Sequence, residues 1–380
     1  MKILYSAAGT PIPGTHGGSV HALELCLALA RRGHEVHVAA VAPAASRTEP
    51  RAMPEDVVVH YLRGRPKLLE WTTAAALRSL VREVRPDVVV ERFYTFGGAA
   101  VAAAHALGVP AVLEINSPAR DYPGSLRDRL DKLTIVRPVD RWRRLQLARS
   151  SAIYTTSRHL VPEEMQDQVT VVVNGVDVDR FRPSESVSAT GPLRCVYVSS
   201  FRPWHGAEDL VAAVAHCDAR RVPIHVTCVG RGPRWKVARE SAVAAGVDHL
   251  IEFVGRVGHA QVPEILAAAD VGLAPFAPDQ FRALELGWFW SPIKIFEYLA
   301  AGLAVVTADI AELHALLPDD VATFYRPGDP LALAEALAEL ESDRAAVSSM
   351  SQKARTLASR EYTWDRQAQV VEGVLRHVVE

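Results

Sequence analysis

The residues whose types and spacing best suit chemistry lie in the run SPIKIFEYLAAG, from Ser291 to Gly302. Ser then Pro suits a helix start, with Ser291 as N-cap and Pro292 as the first helical residue. Lys294 then falls in the first turn, where a cation opposes the helix dipole. That placement makes sense if an anion docks at the helix end, beside Ile293 and Lys294. Glu297 follows one turn on, on the same face, and a carboxylate there can accept two hydrogen bonds from a ribose diol. An exposed Lys–Glu pair is the competing reading, and spacing alone does not separate the two. A second run, Ser200-Phe201-Arg202-Pro203-Trp204-His205-Gly206, puts an Arg, a His and a Gly between a strand and a helix. It suits a phosphate, whose negative charge would raise the pKa of His205 and make it a cation. Gly230-Arg231-Gly232-Pro233 is a weaker loop of the same kind.

The N-terminal half carries two further candidates. Gly14-Thr15-His16-Gly17-Gly18-Ser19 lies between the first strand and the first helix, where glycines allow close backbone approach and a helix N-terminus favours an anion. It is not the GxGxxG fingerprint, and a plain flexible turn is the alternative. Glu114-Ile115-Asn116-Ser117-Pro118, followed by Asp121, comes directly off a buried strand. Glu114, Asn116 and Asp121 are the catalytic candidates, with Asp121 or Glu114 positioning an acceptor hydroxyl. Asn and Asp as simple turn formers explain the same residues equally well. Asn174-Gly175-Val176-Asp177 reads as a structural turn.

The elements that must hold these residues alternate β-rich runs with helical patterns, the signature of parallel sheets covered by helices on both faces. Strands are expected at Ile3-Leu4-Tyr5, 36–39, 57–60, 88–90, 111–115, 152–156 and 170–173, then at 195–198, 224–229, 251–254, 271–274 and 304–307. The first helix, over 19–32, ends at Gly33. The segment 184–193 is small and polar and reads as a linker. The expected architecture is therefore α/β, with two doubly wound, Rossmann-like domains facing across a cleft. The first spans 1–183 and the second 184–363, with a last helix at 364–380. In such sheets ligands bind beyond the carboxyl ends of the strands, where every loop named above begins.

Composition excludes several classes. With 49% hydrophobic and 23% charged residues among 380, the chain is globular rather than disordered. Its 42 basic and 44 acidic side chains argue against a general nucleic-acid binder. The charge is uneven: residues 1–183 carry 24 basic and 19 acidic groups, residues 184–380 carry 18 and 25. Four cysteines without CxxC spacing read as buried thiols, not a disulfide frame or a metal site. No apolar run reaches the roughly 18 residues of a membrane span, and no signal-peptide core is visible, so a cytoplasmic location is expected. Residues 125–150 hold eight basic and three acidic side chains with Trp142 among them. A solvated Arg-rich helix is the plain reading; contact with an anionic lipid surface or a phosphorylated acceptor is the other.

Taken together, the chain resembles the retaining, nucleotide-sugar-dependent glycosyltransferases of family 4, which have the GT-B fold. The resemblance covers nearly the full length. It rests on Gly17-Gly18 with the later Arg32-Gly33-His34-Glu35-Val36, on Asn174-Gly175-Val176-Asp177 with Phe181 and Pro183, on the Gly206 and Gly230-Arg231-Gly232-Pro233 loops, on Phe253-Val254-Gly255, and on Ser291 to Gly302. The nearer subgroup has a Glu-Xaa-Asn-Xaa-Pro run and a Pro-Trp-His-Gly loop. The resemblance implies a nucleotide sugar bound by the C-terminal domain and a carbohydrate, lipid-linked or natural-product acceptor bound by the N-terminal one. It implies that Glu297 holds the ribose, that the backbone around Pro292 to Lys294 contacts the donor, and that Gly17 and Gly18 approach the diphosphate or sugar. Arg202, His205, Gly230, Arg231, Val257 and Ser291 complete the expected donor set. It further implies same-face attack with neither metal nor cofactor, and a last helix that crosses back to the N-terminal domain. The chain departs from the pattern at Ser200 and His205, where many members carry an Arg and a Lys on the diphosphate, and at Phe289, where many carry a Glu. Arg202, His205 and Lys294 are candidates to compensate. The alternatives are a catalytically impaired homologue, a sugar-nucleotide epimerase of the same fold, and a two-domain small-molecule binding protein.

Overall fold

The computed structural model describes residues 1–14, 17–42, 56–62, 73–94, 97–119, 128–129, 132–133, 137–183 and 190–380. Asp121, Thr15, His16 and the linker core 184–189 lie outside them. The chain forms two compact units. One comprises Met1–Gly175, Phe289–Ser291 and Trp364–Glu380, the other Val176–Trp288 and Pro292–Thr363. The division therefore falls at Gly175/Val176, ahead of the polar stretch that composition marks as the linker.

The first unit is built on a seven-stranded sheet. Its elements are β1 (Lys2–Pro11), α1 (Gly17–Arg31), β2 (Glu35–Val41), β3 (Val57–Leu62), α2 (Ala74–Val84), β4 (Val88–Phe93), α3 (Ala99–His105), β5 (Ala111–Ile115), α4 (Pro138–Arg149), β6 (Ala152–Thr155) and β7 (Thr170–Val171). The strand order is β3-β2-β1-β4-β5-β6-β7, with every neighbouring pair parallel. The buried strands read as continuous apolar runs because helices cover both faces. Gly33 closes α1 with φ near +86° and its amide on Ala30 O at 2.8 Å, a conformation that costs glycine little. The last helix of the chain, α12 (Trp364–Val379), lies in this unit. Its apolar stripe of Trp364, Ala368, Val371 and Leu375 joins Leu25, Leu29 and Tyr5 in one core.

The second unit holds β8 (Leu193–Val198), α5 (Ala207–Ala219), β9 (Ile224–Val229), α6 (Trp235–Ala244), β10 (Ile251–Gly255), α7 (Val262–Ala267), β11 (Val271–Ala274), α8 (Ile293–Ala300), β12 (Ala304–Ala308), α9 (Ala311–His314), β13 (Ala322–Tyr325), α10 (Pro330–Ser342) and α11 (Arg344–Glu361). The sheet order is β10-β9-β8-β11-β12-β13, again all parallel. Sequence patterning misses β13, a four-residue edge strand too short to show a period. The order reverses between β8 and β11, and in the first unit between β1 and β4. Ligands bind at such switch points. Cys26, Cys195, Cys217 and Cys228 are free and buried. Among the described residues no helix is long and apolar enough to cross a membrane.

Candidate active site

In the second unit, the loop Ser199–Gly206 leaves the end of β8 and the loop from Pro275 leaves the end of β11. The two touch so closely that a Cβ on Gly206 would sit 1.6 Å from Pro275 O, at a φ of +66°. Only glycine fits there. Gly230, at the end of β9, is held the same way: its φ is +112° and a Cβ would meet Ser199 O at 1.8 Å. Its place in the sequence is thus explained by packing of the two strand ends, whatever ligand it also meets. Arg202 and Arg231 are exposed, and Val257, after β10, is half-buried. The Arg231 guanidinium lies over the Trp235 ring, 4.6 Å from its centroid.

His205 is not the ready cation that the loop suggested. Its Nδ1 lies 2.8 Å from Ser199 Oγ, which also accepts the Phe201 N–H at 2.9 Å. Burial pushes its pKa down to about 2, helped by the positive charges of Lys294 and Arg202. The ring is therefore neutral.

Helix α8 begins at Ile293, with Pro292 at its N-cap. This corrects the expected cap at Ser291: the Ser291 hydroxyl accepts the Asn174 backbone N–H at 2.7 Å, and Ser291 O accepts the Asn174 side-chain amide. Its oxygen is thereby engaged away from α8. Lys294 lies in the first turn, as spacing predicts, but not as an exposed ion pair. Its ammonium nitrogen is buried without a hydrogen-bond partner. It sits 5.2 Å from the Tyr197 ring centroid and 5.3 Å from that of Phe276, at the ends of the two switch-point strands. Burial pushes its pKa down to about 7, against the pull of the Glu297 charge. Glu297 is itself buried, and its Oε1 lies 3.0 Å from His259 Nε2. Lys294, Glu297, His205, Tyr197 and Phe276 thus gather around the β8–β11 switch point.

The first unit gathers a different cluster. The parallel register sets Arg92 on β4 beside Glu114 on β5, and Glu114 beside Tyr154 on β6. Glu114 is fully buried. It accepts from Tyr5 Oη at 2.7 Å and Tyr154 Oη at 2.8 Å, and also from Arg92 and Asn116. His21 Nε2 lies 3.0 Å from its Oε1. Burial alone would raise the carboxyl's pKa, but His21 and Arg92 outweigh it and hold the group below the usual carboxylate range. His21 Nδ1 in turn meets Asn174 Oδ1 at 2.5 Å. Glu114 is therefore a satisfied anion with no lone pair to spare, which suits a positioning role for Asn116 better than a base of its own. Gly17 is exposed and Gly18 half-buried at the start of α1.

Sequence reasoning missed His21, Arg92, Asn174 as a side chain, and His259. Arg92 and its neighbour Glu91 did carry a signal. Two charges inside the apolar run VVVERF must each find a partner, and Glu91 finds its own in the Gly98 and Val101 amides at the start of α3. In α4, Arg143 is buried on Asp140 and Trp142 donates to Gly97 O at 2.7 Å, which leaves Arg141, Arg144 and Leu145 as exposed residues of that helix.

A family profile described as Glycosyltransferase Family 4 matches residues 15–180, and one described as Glycosyl transferases group 1 matches residues 192–343. A glycogen synthase of Mycobacterium tuberculosis is 25% identical over 96% of this chain and 92% of its own length. A D-inositol 3-phosphate glycosyltransferase of Xylanimonas cellulosilytica is 26% identical over 97% of this chain and 93% of its own. Among solved structures, a glycosyltransferase from Rickettsia africae superposes with a TM-score of 0.76 at 13% identity, covering 100% of this chain and 98% of that one. Anabaena Alr3699/HepE, solved in complex with UDP, gives 0.76 at 18% identity, covering 99% and 100%.

Proposed function

The chain belongs to the family 4 glycosyltransferases with the GT-B fold, and from that premise we propose that it moves a sugar from a nucleotide-diphosphate sugar to an acceptor hydroxyl with retention and without a metal. One observation carries the donor reading: a buried ammonium with no partner, Lys294, one helical turn from a buried carboxylate, Glu297, at the β8–β11 switch point. A buried charge left unpaired in the free protein is costly, and a diphosphate is the ligand that relieves it. The N-terminal amides of α8 add hydrogen bonds to the same anion, and Glu297 offers its oxygens to a ribose diol. In this reading Lys294 and the helix end meet the charge that a metal meets elsewhere.

In the first unit, the Glu114 cluster fixes Arg92 and Asn116 and leaves their remaining N–H groups to orient an acceptor. Same-face attack then needs no protein base, because the departing phosphate accepts the hydroxyl proton. The acceptor is a carbohydrate, a lipid-linked sugar or a natural-product core. The cytoplasmic face, with Arg141 and Arg144 toward an anionic surface, is the location this reading favours. The impaired-homologue reading keeps one observation in its favour, the neutral His205, which with Ser200 stands where many family members carry a Lys and an Arg.

The test is thermal unfolding with UDP, GDP, ADP and TDP, each with and without EDTA. One nucleotide is expected to stabilise the chain by about 2.7 kcal/mol at a hundred times its dissociation constant, and EDTA is expected to change nothing. No shift with any of the four would sink the donor site. A shift abolished by EDTA would sink metal independence.

A further inference from the structure

Of the candidate cations in the donor set of the second unit, Arg231 is exposed and lies over the Trp235 ring, and the structure treats the other three differently. Arg202 is exposed, so its guanidinium stays hydrated. His205 is neutral and committed to Ser199 through Nδ1. Lys294 is half-buried as a residue, with its ammonium nitrogen buried, without a hydrogen-bond partner among the described residues, and framed by two aromatic rings. We infer that each donor bound against Lys294 brings one proton from solvent onto its amine, while His205 stays uncharged. This rests on the donor reading above, which sets Lys294 against the diphosphate, and goes beyond it by naming the coupled proton.

The surroundings of Lys294 argue for the coupling from every side. From β8, Tyr197 offers its ring face, and its hydroxyl is spent on His205 O at 2.9 Å. From the loop after β8, His205 is neutral and Arg202 is a like charge. From the loop after β11, Phe276 is apolar. From α8 itself, the Tyr298 hydroxyl lies 2.8 Å from the Val198 N–H and donates to Leu273 O. Among the described residues Glu297 is the anion acting on Lys294, and it is shared with His259. Burial therefore dominates, and the free amine titrates near pH 7. A diphosphate against it favours the ammonium and moves that titration up towards the ordinary lysine range. Between those two values, binding consumes protons and weakens as pH rises, by up to about tenfold per unit.

The experiment is titration calorimetry with UDP-glucose and GDP-mannose, whose diphosphates carry no titratable group near neutrality. It is run at pH 6 and pH 8 in buffers of differing ionisation enthalpy. If either fails to bind, the glucose diphosphate ester of the nucleoside that gave the thermal shift replaces it. The expected uptake is about 0.9 proton per donor at pH 8 and about 0.1 at pH 6, from a free amine near pH 7. Lys294→Met, checked for folding by its unfolding temperature, is expected to lose uptake and about ten- to a hundredfold in affinity. Tight binding by the wild type at pH 8 without uptake overturns the inference and leaves the donor reading standing. Uptake that persists in Lys294→Met assigns the proton elsewhere and overturns it too. A folded protein that binds none of the nucleotides ends both.

Discussion

Two buried charges organise the two units, and they are opposites. Glu114 is sealed among Tyr5, Tyr154, Arg92, Asn116 and His21, each within hydrogen-bond or ion-pair reach. The Lys294 nitrogen is buried between two rings, with no hydrogen-bond acceptor among the described residues. A buried charge with its partners complete needs nothing further, so Glu114 belongs to the architecture that holds other groups still. A buried charge without partners is unfavourable in the free protein, so Lys294 is better explained by what arrives than by what is there. Partner completeness, rather than burial or residue type, separates the two charges.

The comparison breaks most sharply at Glu114. Glu114→Gln keeps the shape and removes the charge, leaving the Arg92 guanidinium buried beside a neutral amide. Breaking a buried pair from one side costs about 3–5 kcal/mol. Faster hydrogen exchange of the β4 and β5 amides reads this within the first unit. Unchanged exchange would mean that Arg92 has another outlet and that the cluster is not scaffold. A smaller loss is expected from Asn174→Ala, which takes the acceptor from His21 Nδ1 and the side-chain donor from Ser291 O. Two groups left short of partners cost about 1–3 kcal/mol. The backbone N–H to Ser291 Oγ survives the substitution, so a loss near the lower end is the more stringent expectation.

The same contrast explains how much could be read without coordinates. The alternation of strands and helices, the glycines at strand ends and the Lys294–Glu297 spacing are local patterns, and local patterns survive in a linear chain. The Glu114 cluster is not local: Tyr5 and Glu114 stand 109 residues apart, and His21 and Asn174 stand 153 apart. No window of sequence contains both members of either pair. The charges inside VVVERF and AVLEI gave the one hint, since an ionised group in a doubly covered strand must be paired. The cap assigned to Ser291 failed for a related reason. Ser-Pro before an apolar stripe is a sound local signal, but Asn174 competes for the same hydroxyl from far along the chain. His205 shows the limit for chemistry: its type suggests a cation, and only burial and the Ser199 hydroxyl make it neutral.

The smallest effect sharpens the comparison best, because it follows one lysine through two states. In the free protein Lys294 titrates near pH 7, whereas in the unfolded chain it titrates near 10.4. Between those values the unfolded state binds more protons, so stability rises with pH. The rise between pH 7 and pH 8 is about 1 kcal/mol for a free amine at 7, read as the change in urea midpoint of the second unit. Lys294→Met has no such group, so its slope lacks this contribution and its midpoint at pH 7 is higher than that of the wild type. A saturating donor restores the ammonium in the folded state and brings its titration close to the unfolded one, so the rise disappears although the lysine is still there. Glu114, with its partners complete, offers no such reversal: its titration lies below the carboxylate range, and the stability it contributes is present above the unfolded carboxyl's pKa and fades only as pH falls through acid. A stability slope between pH 7 and 8 that the donor leaves untouched would show that the ammonium is not where the diphosphate binds.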